Sequence, residues 1–145
     1  MQLFRRRRWP REDWFALGEA FVVLAMVRLA LATMNFKRIE RLVTRLVRRL
    51  APQPADGTPE DDARLGRAIR RAAVLVPGAR CLAQATAAMV VSARHNRRTR
   101  MTIGVKLGAS EEFGAHAWLE TPHGTPVGGD EAAQFAPLLS VDPYA

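Results

Sequence analysis

Apolar and polar positions change rhythm several times along the chain, and each change marks a different element. From residue 14 to 34 nearly every position is apolar, with Glu19 and Arg28 the only charges. That run predicts one long helix, with Asp13 placed to cap it. A second helix is predicted over residues 39–50. Ile39, Leu42, Val43, Leu46, Val47 and Leu50 follow the 3, 4, 7 spacing of an amphipathic face. Residues 51–59, Ala51-Pro52-Gln53-Pro54-Ala55-Asp56-Gly57-Thr58-Pro59, are dense in helix breakers and read as a linker. Thr58 then serves as an N-cap, Pro59 suits a first turn, and Glu60, Asp61 and Asp62 stand where the helix dipole favours acids. This third helix runs to about residue 76 and stops at Pro77-Gly78. An Ala-rich helix opens at Ala79-Arg80-Cys81-Leu82-Ala83-Gln84 and continues to about residue 94. Beyond His95-Asn96 the period becomes two. Met101, Ile103, Val105 and Leu107 alternate over 100–107, a second strand covers 113–121, and a third begins near 125 after Pro122-His123-Gly124. Helices first and an antiparallel meander after them make an α+β fold.

At 145 residues the chain has room for one domain and a helical appendage. The expected organisation is a helical segment over 1–50 packing on or docking a core, a linker over 51–59, and the core over 60–145. Hydrophobic residues at 48% and charged ones at 25% exclude wholesale disorder. One cysteine excludes a disulfide framework and any zinc site of two or more thiolates. No two of the three histidines stand at i, i+4, so a metal site is not expected; no cofactor is expected either.

The net charge of +8 is unevenly distributed. Residues 1–50 hold twelve basic side chains against four acidic, whereas residues 101–145 hold one against six. All basic residues but Lys37 and Lys106 are arginine, a usage that resembles bacterial chains from GC-rich genomes. A basic front half suits an acidic partner, nucleic acid or anionic lipid. The aromatic residues do not interleave with the arginines and no binding module is present, so nucleic acid is not expected. Arg5-Arg6-Arg7-Arg8 ahead of an apolar run has the outline of a membrane anchor or signal peptide. The strong hydrophobes contribute about −3 to −6 kcal/mol to insertion, and Glu19 and Arg28 cost about +2.5 to +3.5 kcal/mol each. That balance lies near zero, and no small-x-small cleavage site stands in the right context, so a cleaved signal peptide is not expected. Packing on protein is therefore the preferred reading, with membrane contact by residues 14–34 less favoured and a cytoplasmic location expected.

The candidate chemistry centres on Cys81. A cysteine at the start of a helix lies among free N–H groups and partial positive charge, which favour an anionic sulfur and an oxyanion formed beside it. The competing reading is core packing, since free cysteine is among the most buried residue types. His116, mid-strand between small residues, would be the general base such a nucleophile needs, the competing reading being a satisfied core or half-exposed histidine. His95 and His123 fall in a loop and a turn and are expected at the surface. A third group must hold the imidazole tautomer. If the hairpin turn centres on His123, Asp130 lies opposite His116 on the next strand. If it centres on His123-Gly124, Glu131 takes that place, and a bulge at Gly128-Gly129 restores Asp130.

Cysteine on a helix start, histidine on one strand and an acid beyond it follow the order of transglutaminase-like and papain-like thiol enzymes. Gly78-Ala79-Arg80-Cys81-Leu82, Ile103-Gly104-Val105 and His116-Ala117-Trp118-Leu119-Glu120 narrow the resemblance to the lasso-peptide biosynthesis B proteins, the leader peptidases of those clusters. The apolar and basic helical front resembles that family too. The resemblance implies a transglutaminase/papain-like fold and a Cys81-His116-Asp130 cysteine protease that cuts a ribosomal precursor peptide between leader and core. It also implies partners: the precursor's leader region, a separate leader-binding protein, because this chain has no room for such a domain, and an asparagine-synthetase-like, ATP-using cyclase. The sequence departs from the family where a glycine often follows the cysteine helix. His95-Asn96 stands there, and Asn tolerates the left-handed conformation. Two other readings remain open: a different acyl-transfer enzyme on the same triad, either a transglutaminase or a general peptidase, and a non-catalytic membrane-associated or adaptor protein.

Overall fold

The computed structural model describes residues 9–106 and 114–145; the basic run at residues 5–8, Leu107 and Phe113 lie outside the described residues. Its elements are α1 (Arg11–Thr33), α2 (Phe36–Leu50), α3 (Pro59–Leu75), α4 (Cys81–Arg94), β1 (Arg100–Lys106), β2 (Gly114–Thr121), β3 (Gly124–Val127), α5 (Gly129–Ala132) and β4 (Ala136–Val141). The fold is α+β: helices at the N-terminal end, then a small antiparallel sheet of strand order β3-β2-β1-β4. The middle of the molecule is α4, which touches α1, α2, α3 and the first three strands. Ala85, Ala87, Ala88 and Met89 on it are fully buried. Alanine is the strongest helix former, and its small side chain lets neighbouring backbones close to native packing density on every side. A helix enclosed in this way needs no polar face, and the sequence of α4 has none.

Local chemistry fixes most helix ends. Asn35 caps α2 through a 2.9 Å bond from the Arg38 amide. Thr58 and Asp61 form a reciprocal capping box at α3, with bonds of 2.9 and 3.1 Å. Asn96 adopts the left-handed conformation after α4, at φ 57°. The linker is tied down, since the Ala55 amide donates to Asn96 O and the Arg98 amide donates to Ala55 O, both at 2.8 Å. Asp13 does not cap α1. The helix starts at Arg11, behind Pro10, and the Asp13 amide donates to Pro10 O at 3.0 Å. Proline is well suited to start a helix and Asp13 gains more in the first turn, near the dipole and 3.8 Å from Arg64 Nε.

Within the sheet, Gly104 lies opposite His116 and Ile103 opposite Ala117. The fourth strand, β4, returns to the free edge of β1 and has no counterpart in the sequence pattern. Ala136-Pro137-Leu138-Leu139 has no alternation, and a proline in a strand is tolerated only at an edge or an irregularity. Pro137 sits at both, opposite Gly104 where the β1–β4 register shifts.

At the far end of β2, Glu120 gathers a polar cluster. Its carboxylate accepts from Arg100 Nε and Nη2 at 2.9 and 2.5 Å, Trp118 Nε1 at 2.9 Å and Thr102 Oγ1 at 3.2 Å. Burial pushes the Glu120 carboxyl up, but the bonds from Arg100, Trp118 and Thr102 and the Arg100 charge outweigh it and hold it below the ordinary carboxylate range. A depressed folded-state value means the stabilisation is complete above the unfolded carboxylate range and is lost as pH falls through the folded value. Glu120→Gln should therefore cost about 1–2 kcal/mol at neutral pH. Urea denaturation should show that gap closing as both proteins are taken below about pH 4, the unfolded carboxylate range.

Candidate active site

Cys81, His116, Asp130 and Glu131 line a single cavity of about 290 Å³, where the start of α4 meets β2 and the turn after β3. Arg70 of α3 and Gln84 of α4 line it as well. Cys81 is the first residue of α4 and is half-buried. Its N-cap, Arg80, has an extended backbone and makes no side-chain cap bond. The first helical bond runs from the Gln84 amide to Arg80 O at 3.0 Å. The first-turn amides of α4 are thus left without the side-chain acceptors that close α2 and α3, and are available to an oxyanion. Gln84 Nε2 donates to Ala79 O at 2.9 Å and fixes the loop that delivers Cys81. Upstream, Gly78 turns that loop at φ +74°, packed against the Arg28 guanidinium of α1.

His116 is buried, and its Nε2 lies 2.8 Å from Gly128 O. A carbonyl only accepts, so Nε2 carries the hydrogen and, in the neutral ring, Nδ1 is left with the free lone pair. Aromatic rings flank the imidazole. Phe135 stacks at 5.1 Å between centroids and Trp118 at 6.0 Å. The Trp118 indole is held by its bond to Glu120 and lies over Gly104, where a Cβ would come within 2.7 Å of the ring. Gly104 is therefore required beneath Trp118, and Trp118 beside His116.

The cross-strand placement of the acid does not occur. Leu119 pairs with Val127, the register that, continued, would bring Asp130 opposite His116. The strand ends first. Gly128 takes the left-handed conformation at φ +76° and α5 starts at Gly129, so Asp130 and Glu131 ride a four-residue helix with exposed side chains. Two consecutive glycines carry no β-preference, and the first turns the chain where any side chain would be strained. The Gly128 carbonyl occupies the position by His116 that an acid was expected to fill. Among the described residues no hydrogen bond joins Cys81 to His116, or His116 to Asp130 or Glu131. The other two histidines are engaged elsewhere: His95 with Glu19 at 2.8 Å and His123 with Gly57 O at 3.0 Å. Sequence reasoning missed Arg70, Gln84 and the Gly128 carbonyl. Gln84 was accessible, because i and i+3 share a helix face with Cys81.

The sequence pattern of the transglutaminase-like superfamily matches residues 22–140 of the chain. No curated protein and no solved structure matches it.

Gly128 is the position where the site is most sensitive. A Cβ there would lie 2.7 Å from Ala117 O and 3.2 Å from His116 Nε2, on a backbone with positive φ. Gly128→Ala should cost about 1–3 kcal/mol of stability. In imidazole NMR spectra it should also shift the His116 tautomer, while leaving the His95 and His123 signals in place.

Proposed function

The chain belongs to the transglutaminase-like superfamily, whose activities are of the cysteine-protease or acyl-transferase kind. On that premise we propose that it is a cysteine peptidase that removes the leader from a ribosomally made lasso-peptide precursor. The observation that carries the proposal is the meeting, in one cavity, of a cysteine on an uncapped helix start and a buried histidine in a fixed tautomer. The motifs that resemble the lasso-peptide B proteins support it, because each has a physical task here: Gly78 turns the chain into Cys81, Gly104 makes room for Trp118, and Glu120 holds Trp118 beside His116.

In the proposed mechanism Cys81 Sγ attacks the scissile carbonyl, and the first-turn amides of α4 receive the developing oxyanion. His116 takes the thiol proton at Nδ1 and returns it to the leaving amine as the tetrahedral intermediate collapses to a thioester. Water then adds with His116 as base, and the carboxylate of the leader is released. The Gly128 carbonyl orients the ring. Asp130, two residues further on and on the same cavity wall, supplies negative charge to the imidazolium. The leader is delivered by a separate leader-binding protein, and the freed core amine passes to an ATP-using cyclase. The enzyme works in the cytoplasm and needs no cofactor of its own.

Cleavage of a precursor peptide in the presence of its leader-binding protein tests this reading. Cys81→Ala should abolish cleavage with its folding unchanged, His116→Ala should abolish it at some cost in stability from the buried ring it removes, and His95→Ala and His123→Ala should stay near wild type. Asp130→Asn should lose about 10–10³-fold, less than the comparable serine-protease change, and Glu131→Gln should lose little. Omitting the leader-binding protein should slow the reaction by removing localised substrate. Cleavage by Cys81→Ala would end the thiol-protease reading. A thioester formed on Cys81 and discharged only by amines would instead make the protein a transferase.

A further inference from the structure

We propose that the α1–α2 face is a docking surface for an anionic lipid bilayer, with α1 lying in the plane of the interface. Helix α1 is apolar enough to cross a membrane, with a mean hydropathy of 2.0 over its best window, yet only 17% of that window is buried. The two charges that argue against lipid in the sequence both point inward. Glu19 is engaged by Arg94 at 3.4 Å and His95 at 2.8 Å, and Arg28 packs on the Gly78 loop. Every exposed residue from 14 to 33 is uncharged, and six are large and apolar: Trp14, Phe15, Phe21, Val22, Met26 and Leu29. Ala20, Leu24 and Val27 on the opposite side are locked in the core, so α1 can rest on a bilayer but cannot cross one without leaving the fold.

Helix α2 supplies the charge complement. It carries six basic residues against Glu40 alone, all six are exposed, and among the described residues none of the six forms an ion pair. Leu42, Leu46 and Leu50 on its apolar side open with Met26 onto one apolar groove of about 440 Å³. An apolar face bordered by arginines is the pattern of a helix that lies at the headgroup level of an anionic leaflet. A lipid surface fits better than a single peptide helix. The exposed row from Trp14 to Leu29 extends about 22 Å along α1, and a helix seated in the groove would leave Phe15 and Val22 uncovered. The inference is independent of the chemistry at Cys81.

Co-sedimentation of the full chain with vesicles tests it. The protein should bind phosphatidylcholine vesicles containing about 30 mol% phosphatidylglycerol, bind phosphatidylcholine alone weakly, and release as salt rises. Trp14 emission should shift to the blue on binding. Met26→Asp with Leu29→Asp, both positions 67% exposed, should abolish binding. Phe15→Ser, at a position 78% exposed, tests the same row if that pair fails to fold. Arg41→Gln with Arg45→Gln should weaken binding about fivefold per arginine. Failure to bind anionic vesicles, or binding that ignores these variants in folded protein, overturns the proposal. Vesicle-free self-association, or capture of an acidic amphipathic peptide with vesicles ignored, each abolished by Met26→Asp, would assign the face to another occupant and overturn it equally.

Discussion

Burial of α4 on all sides is the constraint from which the rest of the molecule follows. A helix surrounded by three other helices and a sheet must present small side chains, and Ala83, Ala85, Ala87, Ala88 and Ala93 meet that requirement. Any larger residue along the run would push α1 or β2 outward. Because its flanks are filled, the helix reaches solvent only at its ends. Its C-terminal end is closed by the left-handed Asn96 and the Ala55 tether. Its N-terminal end opens on the cavity and keeps its amides uncapped, with Cys81 at that opening.

The histidine side of the cavity is built by subtraction. Gly104 removes a side chain under Trp118, and Gly128 removes one beside His116, so backbone and aromatic rings approach the imidazole closely. Each glycine weakens its element locally. The polar cluster around Glu120 offsets this by holding Trp118 from its far end through a charge-assisted network. Cys81 and His116 thus depend on different supports, one on helix packing and the other on turn geometry.

Helix α1 carries two demands on one sequence. Its inner face completes the core over α3 and α4, and its outer face remains apolar though exposed. A helix serving packing alone would carry charged residues outside, where they cost nothing and favour solubility. Here the charges are reversed in position: Glu19 and Arg28 face protein, Glu19 paired with Arg94 and Arg28 packed against the Gly78 loop.

The α+β order, the helix limits to within about three residues, the Thr58 cap, the left-handed Asn96, and the positions of Cys81 at a helix start and His116 on a strand all came from the chain. These are local matters, decided by periodicity, capping chemistry and breakers within a few residues of one another. The transglutaminase-like family was legible through the spacing of short motifs. Three features needed the tertiary structure. Strand β4 forms because the edge of β1 is there to receive it, and its own pattern carries no strand signal. The His116 partner is a backbone carbonyl, which has no letter in a sequence, presented by a turn that ends β3 before Asp130 is reached. The direction taken by Glu19 and Arg28 also depends on contacts with residues 50 and more positions away, which periodicity in a uniformly apolar helix does not encode.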